Sequence, residues 1–272
     1  MLTVKNVSKR FGKIMALNGV DLQLEPGTYG LIGPNGSGKT TLFRCVMGLL
    51  KPDSGSIEKP QHCGYLPQSF GVDGALSVYE TLEYYAAIKK IPVKQQKAAI
   101  EEAVEAVNLS DRLKSRTGTL SGGMVRRLGI AQALLGDPQM ILFDEPTAGL
   151  DPEERMRFKL LLTRLKKKGV PLIISTHIVE DVWAVCDQVI VLRKGHVLKQ
   201  CKAEELSAMA EGKVYAVPTD RQADLTEPYL PVRSELIDGR EAMRVVSALE
   251  QPGKRVEPIL EDGYLCVIHD LL

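Results

Sequence analysis

"YGLIGPNGSGKTTLFRCVMGLL", Tyr29 to Leu50, is the stretch whose reading decides the fold. A short apolar strand, "YGLI", runs through Gly33–Thr40, "GPNGSGKT", into the helix-like "TLFRCVMGLL". A glycine, four residues and then Gly-Lys-Thr between a strand and a helix is the pattern of a phosphate loop. Gly33, Gly36 and Gly38 would let the backbone wrap phosphates while amides at the helix start donate to them. Lys39 would neutralise β and γ oxygens, and the Thr40 hydroxyl would reach Mg²⁺. A plain glycine-rich turn would leave Lys39 and Thr40 at the helix mouth without a reason.

A hundred residues downstream, "MILFDEP" (140–146) places four apolar residues before Asp144 and Glu145. In a parallel sheet that strand delivers both acids to the edge carrying the phosphate loop. Asp144 would then hold Mg²⁺ and Glu145 would polarise an attacking water. Read alone, two acids at a strand end also suit an N-cap and surface charge. His177 in "IISTHIVED" follows another apolar run. It suits either a helix cap or a γ-phosphate sensor. Gln68 in "YLPQSF" is either a solvated loop residue or a link between Mg²⁺ and the segment after it.

"LSGGMVRRLGIAQALL" (120–135) opens on two adjacent glycines. Each costs roughly 1 kcal/mol relative to alanine inside a helix, so something besides packing should call for them. Ser121 fits an N-cap, with Met124, Leu128, Ala131 and Leu135 following at helical spacing. Such a helix points bare amides and a positive dipole end outward, which is an anion site. An ordinary loop before a core helix explains Gly122 and Gly123 equally well at this point.

Elsewhere the texture is that of a mixed α/β chain. "LTVKNVSKRF" and "ALNGVDLQL" alternate apolar and polar residues before the turn "EPGT", which predicts antiparallel strands at the start. "YGLIG", "MILFD" and "PLIIST" read as buried strands of a mainly parallel sheet. From about Leu76 to Leu113, "YETLEYYAAIKK" and "KAAIEEAVEAVNL" carry helical periodicity and define a helical subdomain spanning about 70–136. "DPEERMRFKLLLTRLKKKG" (151–169) has Asp151 as N-cap, Pro152 in the first turn and lysines before Gly169, so its basic run terminates a helix. After about Ala210 prolines multiply and periodicity weakens, which sets residues 211–272 apart from 1–210 as a small accessory domain.

The bulk numbers leave local sites to do any anion binding. In 272 residues, 35 Lys and Arg face 34 Asp and Glu, a formal net charge of +1 with no global field to recruit nucleic acid or anionic lipid. The 5 cysteines show no close pairing, which suits a reducing compartment, and His62 beside Cys63 is no metal signature. No run approaches the ~18 apolar residues of a membrane span, and "MLTVKNVSKRFGK" lacks the layout of a signal peptide, so an intracellular location is expected.

Taken together and in this order, the phosphate loop, Gln68, "LSGGM", "MILFDEP", "AGLD" and His177 resemble the nucleotide-binding subunit of an ATP-binding cassette (ABC) transporter, over about Met1 to Ala210. The resemblance implies a P-loop NTPase with a RecA-like parallel core, an N-terminal antiparallel region, a helical subdomain and a small C-terminal appendage. It makes Phe11 the adenine-stacking aromatic in place of the commoner tyrosine. Gly33, Pro34, Asn35, Gly36, Ser37, Gly38, Lys39, Thr40 and Thr41 become the phosphate cradle. Thr40, Gln68 and Asp144 would hold Mg²⁺, while Glu145 and His177 complete the catalytic set. Ser121, Gly122 and Gly123 would touch the γ-phosphate of ATP on a facing subunit, with Asp151 communicating between sites. Met124 stands where the family usually has glutamine, which removes a polar contact near that nucleotide.

The implied partners are a second ATPase subunit, identical or paralogous, forming two composite ATP sites, and a separate integral-membrane permease, with no nucleic acid. The chain would lie on the cytoplasmic face of the membrane. "LSVYETLEYYAA", "STHIVEDV" and "VEPILEDGYL" resemble ATPases of bacterial antibiotic and lantibiotic exporters. Two other readings stay open: a cassette ATPase remodelling a soluble assembly such as iron–sulfur machinery, and a nucleotide-gated module without turnover.

Overall fold

The computed structural model describes residues 1–179, 185–237 and 239–271. In chain order the strands and helices begin with β1 (Leu2–Phe11), β2 (Ile14–Leu24), β3 (Thr28–Ile32), α1 (Lys39–Val46), β4 (Ser54–Glu58) and β5 (Cys63–Leu66). The helical segment holds α2 (Val78–Ile88), α3 (Val93–Ala106) and α4 (Gly122–Leu134). Then come β6 (Met140–Asp144), α5 (Pro152–Lys167), β7 (Leu172–Thr176), β8 (Gln188–Arg193), β9 (His196–Lys202) and α6 (Ala203–Ala208). The chain ends with β10 (Val214–Pro218), β11 (Leu230–Ile237), β12 (Arg240–Val246), β13 (Lys254–Arg255) and α7 (Leu260–Ile268).

The central sheet runs β5-β6-β7-β3-β8-β9, parallel except for β9 against β8. Every residue of β3, β6 and β7 is buried, as continuous apolar runs require when helices cover both faces. Ile141, Phe143 and Leu172 fill the core on one face and Leu31, Leu142 and Ile190 that on the other. Each such side chain contributes roughly 1.5–3 kcal/mol by leaving water. The parallel order has a direct consequence for function. The carboxyl ends of β5, β6, β7 and β3 lead to Gln68, Asp144 with Glu145, His177 and Gly33, so four separated stretches of sequence meet along one edge.

The N-terminal strands form a separate antiparallel sheet, β2-β1-β4, whose β1–β2 hairpin reaches over that edge. In the helical segment, Ser77 caps α2 in a reciprocal box with Glu80. Helix α5 starts as its sequence predicts, with Asp151 accepting from the Glu154 amide at 2.8 Å. Beyond α6, β10 to β13 form a four-stranded sheet in the order β11-β12-β10-β13. Helix α7 returns to the main body, where Leu260, Val267 and Ile268 join its core. The contact between α6 and α7 needs Gly263, because a Cβ there would sit 1.8 Å from the Leu206 carbonyl oxygen. No helix among the described residues is long and apolar enough to cross a membrane.

Candidate functional site

The loop from Gly33 to Gly38 is shaped by close approach. A Cβ at Gly33 would lie 2.1 Å from the Leu192 carbonyl oxygen. Gly38, at φ +111°, would place one 2.5 Å from that of Ala16. No L side chain is compatible with either position. The tightened loop starts α1 at Lys39 and aims its free amides into a cavity of about 380 Å³. Asn35, Gly36, Ser37, Gly38, Lys39, Thr40, Thr41, Gln68 and Glu145 line it, with Ile14 and Ala16 of the hairpin as one wall.

Lys39 is only 6% exposed, and its Nζ donates to the carbonyls of Gly33 at 2.7 Å and Pro34 at 3.3 Å. The ammonium lies 3.7 Å from Glu145 Oε1. Burial lowers its pKa, while Glu145 and Asp144 pull in the opposite direction. Glu145 has the left-handed φ of +49°, unusual outside glycine, and its amide donates to both the Ser175 carbonyl and Ser175 Oγ. That conformation sets its carboxylate between Lys39 and His177, whose Nδ1 is 2.8 Å from Glu145 Oε2. Glu145 therefore has one oxygen towards a cation at the cradle and one on a half-exposed imidazole, and the group between them can accept a proton.

Asp144 is fully buried beneath the cradle. Its Oδ1 accepts from Ser175 Oγ at 2.5 Å, and its Oδ2 has no hydrogen-bond partner, nor does the buried Ser37 Oγ. Ser37 lines the cavity, and a buried hydroxyl lacking a partner there marks a place prepared for a ligand. The oxygen donors there, the Thr40 hydroxyl, the Gln68 amide and the Asp144 carboxylate, suit a hard divalent cation shared with phosphates. Beside them, burial pushes the Tyr65 phenol up to about 12 and keeps it neutral.

Phe11 does not line the cavity. It pairs with Ile14 across the hairpin at the cavity wall and is 46% exposed, with Lys9 Nζ 5.7 Å from its ring centroid. Ser121, Gly122, Gly123 and Asp151 stand apart from the cradle too. Ser121 Oγ accepts from the Met124 amide at 3.3 Å, the N-cap its sequence predicts. A Cβ on Gly122 would meet nothing within 4 Å, and one on Gly123 only the Glu154 side chain at 3.8 Å or more. Packing within this chain thus makes no demand for either glycine. Met124 is partly buried and packs against the core.

Two residues at the site escape the sequence reading. Ser175 bridges Asp144 and the Glu145 amide, and Arg126 sends its guanidinium from α4 to carbonyls on both sides of Glu145. A serine inside the apolar "LIIST" and an arginine one turn into a buried helix are the signals that point to them.

Known proteins resemble this chain over most of its length. The ABC transporter family model matches residues 17–148. Nod factor export ATP-binding protein I of Burkholderia lata is 34% identical over 86% of this chain and 78% of its own length. Daunorubicin resistance ATP-binding protein DrrA3 of Streptomyces coeruleorubidus is 34% identical over 78% and 71%. Among solved structures, the dimeric post-hydrolysis state of the ATP-binding cassette MJ0796, bound to ADP and Pi, superposes with a TM-score of 0.67 at 26% identity, over 74% of this chain and 98% of that one. With its phosphate loop, strand-end acids and glycine-led helix in one fold, this chain belongs to the ATP-binding proteins of ABC transporters, and it is an ATPase of that family.

Proposed function

We propose that this chain binds Mg²⁺ and ATP in the cradle from Gly33 to Thr41 and hydrolyses ATP to drive a separate membrane permease as part of an exporter. The observation that carries the reading is the position of Glu145, lining the cavity 3.7 Å from Lys39 and 2.8 Å from His177. Lys39 and the α1 amides hold the β- and γ-phosphates, and the adenine stacks on Phe11 above Ile14. Thr40, Asp144 and Gln68 would hold Mg²⁺, which supplies charge neutralisation of the phosphate oxygens. Glu145 takes a proton from the attacking water, and His177 fixes the carboxylate while facing the γ-phosphate.

Ser121, Gly122 and Gly123 supply no contact to their own cradle, so they serve the nucleotide of a second chain, with Asp151 at the same junction. ATP bridging two chains then favours the closed dimer, and loss of the γ-phosphate releases it. Residues 1–210 make up this cassette and 211–272 an accessory domain. The chain lies at the cytoplasmic face of the membrane on its permease. The two relatives named for export and drug resistance support that direction.

The test is Glu145→Gln, which keeps the shape and loses the base. With ATP it should accumulate a dimer in light scattering and retain an integral-membrane subunit when tagged chain is purified from detergent-solubilised cells. Hydrolysis at the wild-type rate would remove Glu145 as the base, and a partner set made only of soluble proteins would remove the permease.

A further inference from the structure

Arg126 enters the body of the protein from the second turn of α4 and is 8% exposed. Its Nη2 donates to the carbonyls of Asp144 at 2.9 Å and Glu145 at 2.6 Å, and its Nε to that of Pro146 at 3.1 Å. Its Nη1 donates to the carbonyls of Pro67 at 2.9 Å and Gln68 at 3.0 Å. A guanidinium has five N–H donors in a fixed plane, and here five carbonyls take them all. These carbonyls lie at or beyond the last residues of β5 and β6, where the sheet ladder no longer determines their direction.

The geometry points to Arg126 as the positioning residue that sets Glu145 and Gln68 for hydrolysis. Glu145 needs its left-handed backbone to bring its carboxylate to Lys39 and His177. The peptide planes before and after Glu145 both end on one nitrogen of Arg126, which defines that turn from the carbonyl side as Ser175 does from the amide side. The same plane holds the backbone of Gln68, so the two residues keep a fixed relation although they come from separate strands. A lysine, with three donors converging on one point, could hold only part of this set of carbonyls. All five Arg126 donors go to carbonyls at the ends of β5 and β6 and none to the phosphate loop, so its loss should spare nucleotide affinity and strike turnover.

The inference rests on Glu145 as the base, and the experiment separates the two. Full-length wild type, Arg126→Met, Glu145→Gln and the double variant are compared in single-turnover ATP hydrolysis and in calorimetric ATP titration. Arg126→Met should lower the rate about 100-fold, with ATP affinity within about threefold of wild type and near one site per chain. In the Glu145→Gln background it should cost less than about twofold more, because both changes remove the same function. Arg126→Lys, which keeps the charge and some donors, should recover to within about tenfold of wild type and carries the same comparisons if the methionine variant fails to fold. Equal rate losses in both backgrounds, or affinity falling in step with rate, would show a merely structural arginine and overturn the inference. Wild-type hydrolysis by Glu145→Gln alone would instead remove the base, and the route from Arg126 with it.

Discussion

At Lys39, burial and charge act against each other. Desolvation disfavours the ammonium, and the carboxylates of Glu145 and Asp144 together with two loop carbonyls hold it in place. Triphosphate oxygens offer stronger, charge-assisted acceptors at the same point. Lys39→Ala should therefore lower ATP affinity by at least ~100-fold in calorimetry, and an unchanged Kd would leave the loop without its counter-charge. Glu145 is held in a conformation that costs on the order of 1–3 kcal/mol, which persists because Ser175 and Arg126 bind its flanking peptide groups. The acids, the lysine and the histidine were legible as residues. Ser175 and Arg126 were not, because their partners are backbone groups that only folding brings to them.

Helix α4 is anchored at depth and open at its start. Gly122→Ala meets open space and improves helix propensity by up to about 1 kcal/mol, so folding alone predicts equal or higher thermal stability. If the glycines serve a facing nucleotide, the same variant should weaken the ATP-dependent dimer in light scattering while its Tm holds or rises. Full dimerisation would return the glycines to the ordinary-loop reading. At the other end of α4, Lys89 Nζ donates to the carbonyls of Gln132, Ala133 and Leu135. Burial pushes its pKa from the ordinary 10.5 down to about 8. Between those values the unfolded chain binds more protons, so this contribution to stability grows as pH rises from about 8 towards 10.5 and is lost as pH falls back through 8. Across about pH 7.5 to 10, wild type should gain stability that Lys89→Met does not, and parallel unfolding curves would contradict the shift.

For the whole molecule, the order β5-β6-β7-β3 turns four motifs into one edge, and α7 ties the last sheet back to the body that carries it. That tie is steric at Gly263. Gly263→Ala would drive a methyl into the Leu206 carbonyl, so α7 should loosen, with faster proteolysis after Ala210 and ATP affinity within about twofold of wild type. Unchanged protection would show that α7 and α6 separate without cost. By itself the sequence determined the local elements: the phosphate loop between strand and helix, the caps at Ser121 and Asp151, the buried strands and the acids at the end of β6. These depend on residues within a few positions of one another, where periodicity, capping and glycine act. Tertiary structure alone decided that Phe11 stands outside the cavity, that Asp144 Oδ2 lacks a partner, and that Arg126 gathers carbonyls from two strand ends. It also decided that the last sheet is tied to the main core through α7. Each of those facts depends on groups far apart in sequence, whose directions follow from strand order and close packing rather than from any local pattern.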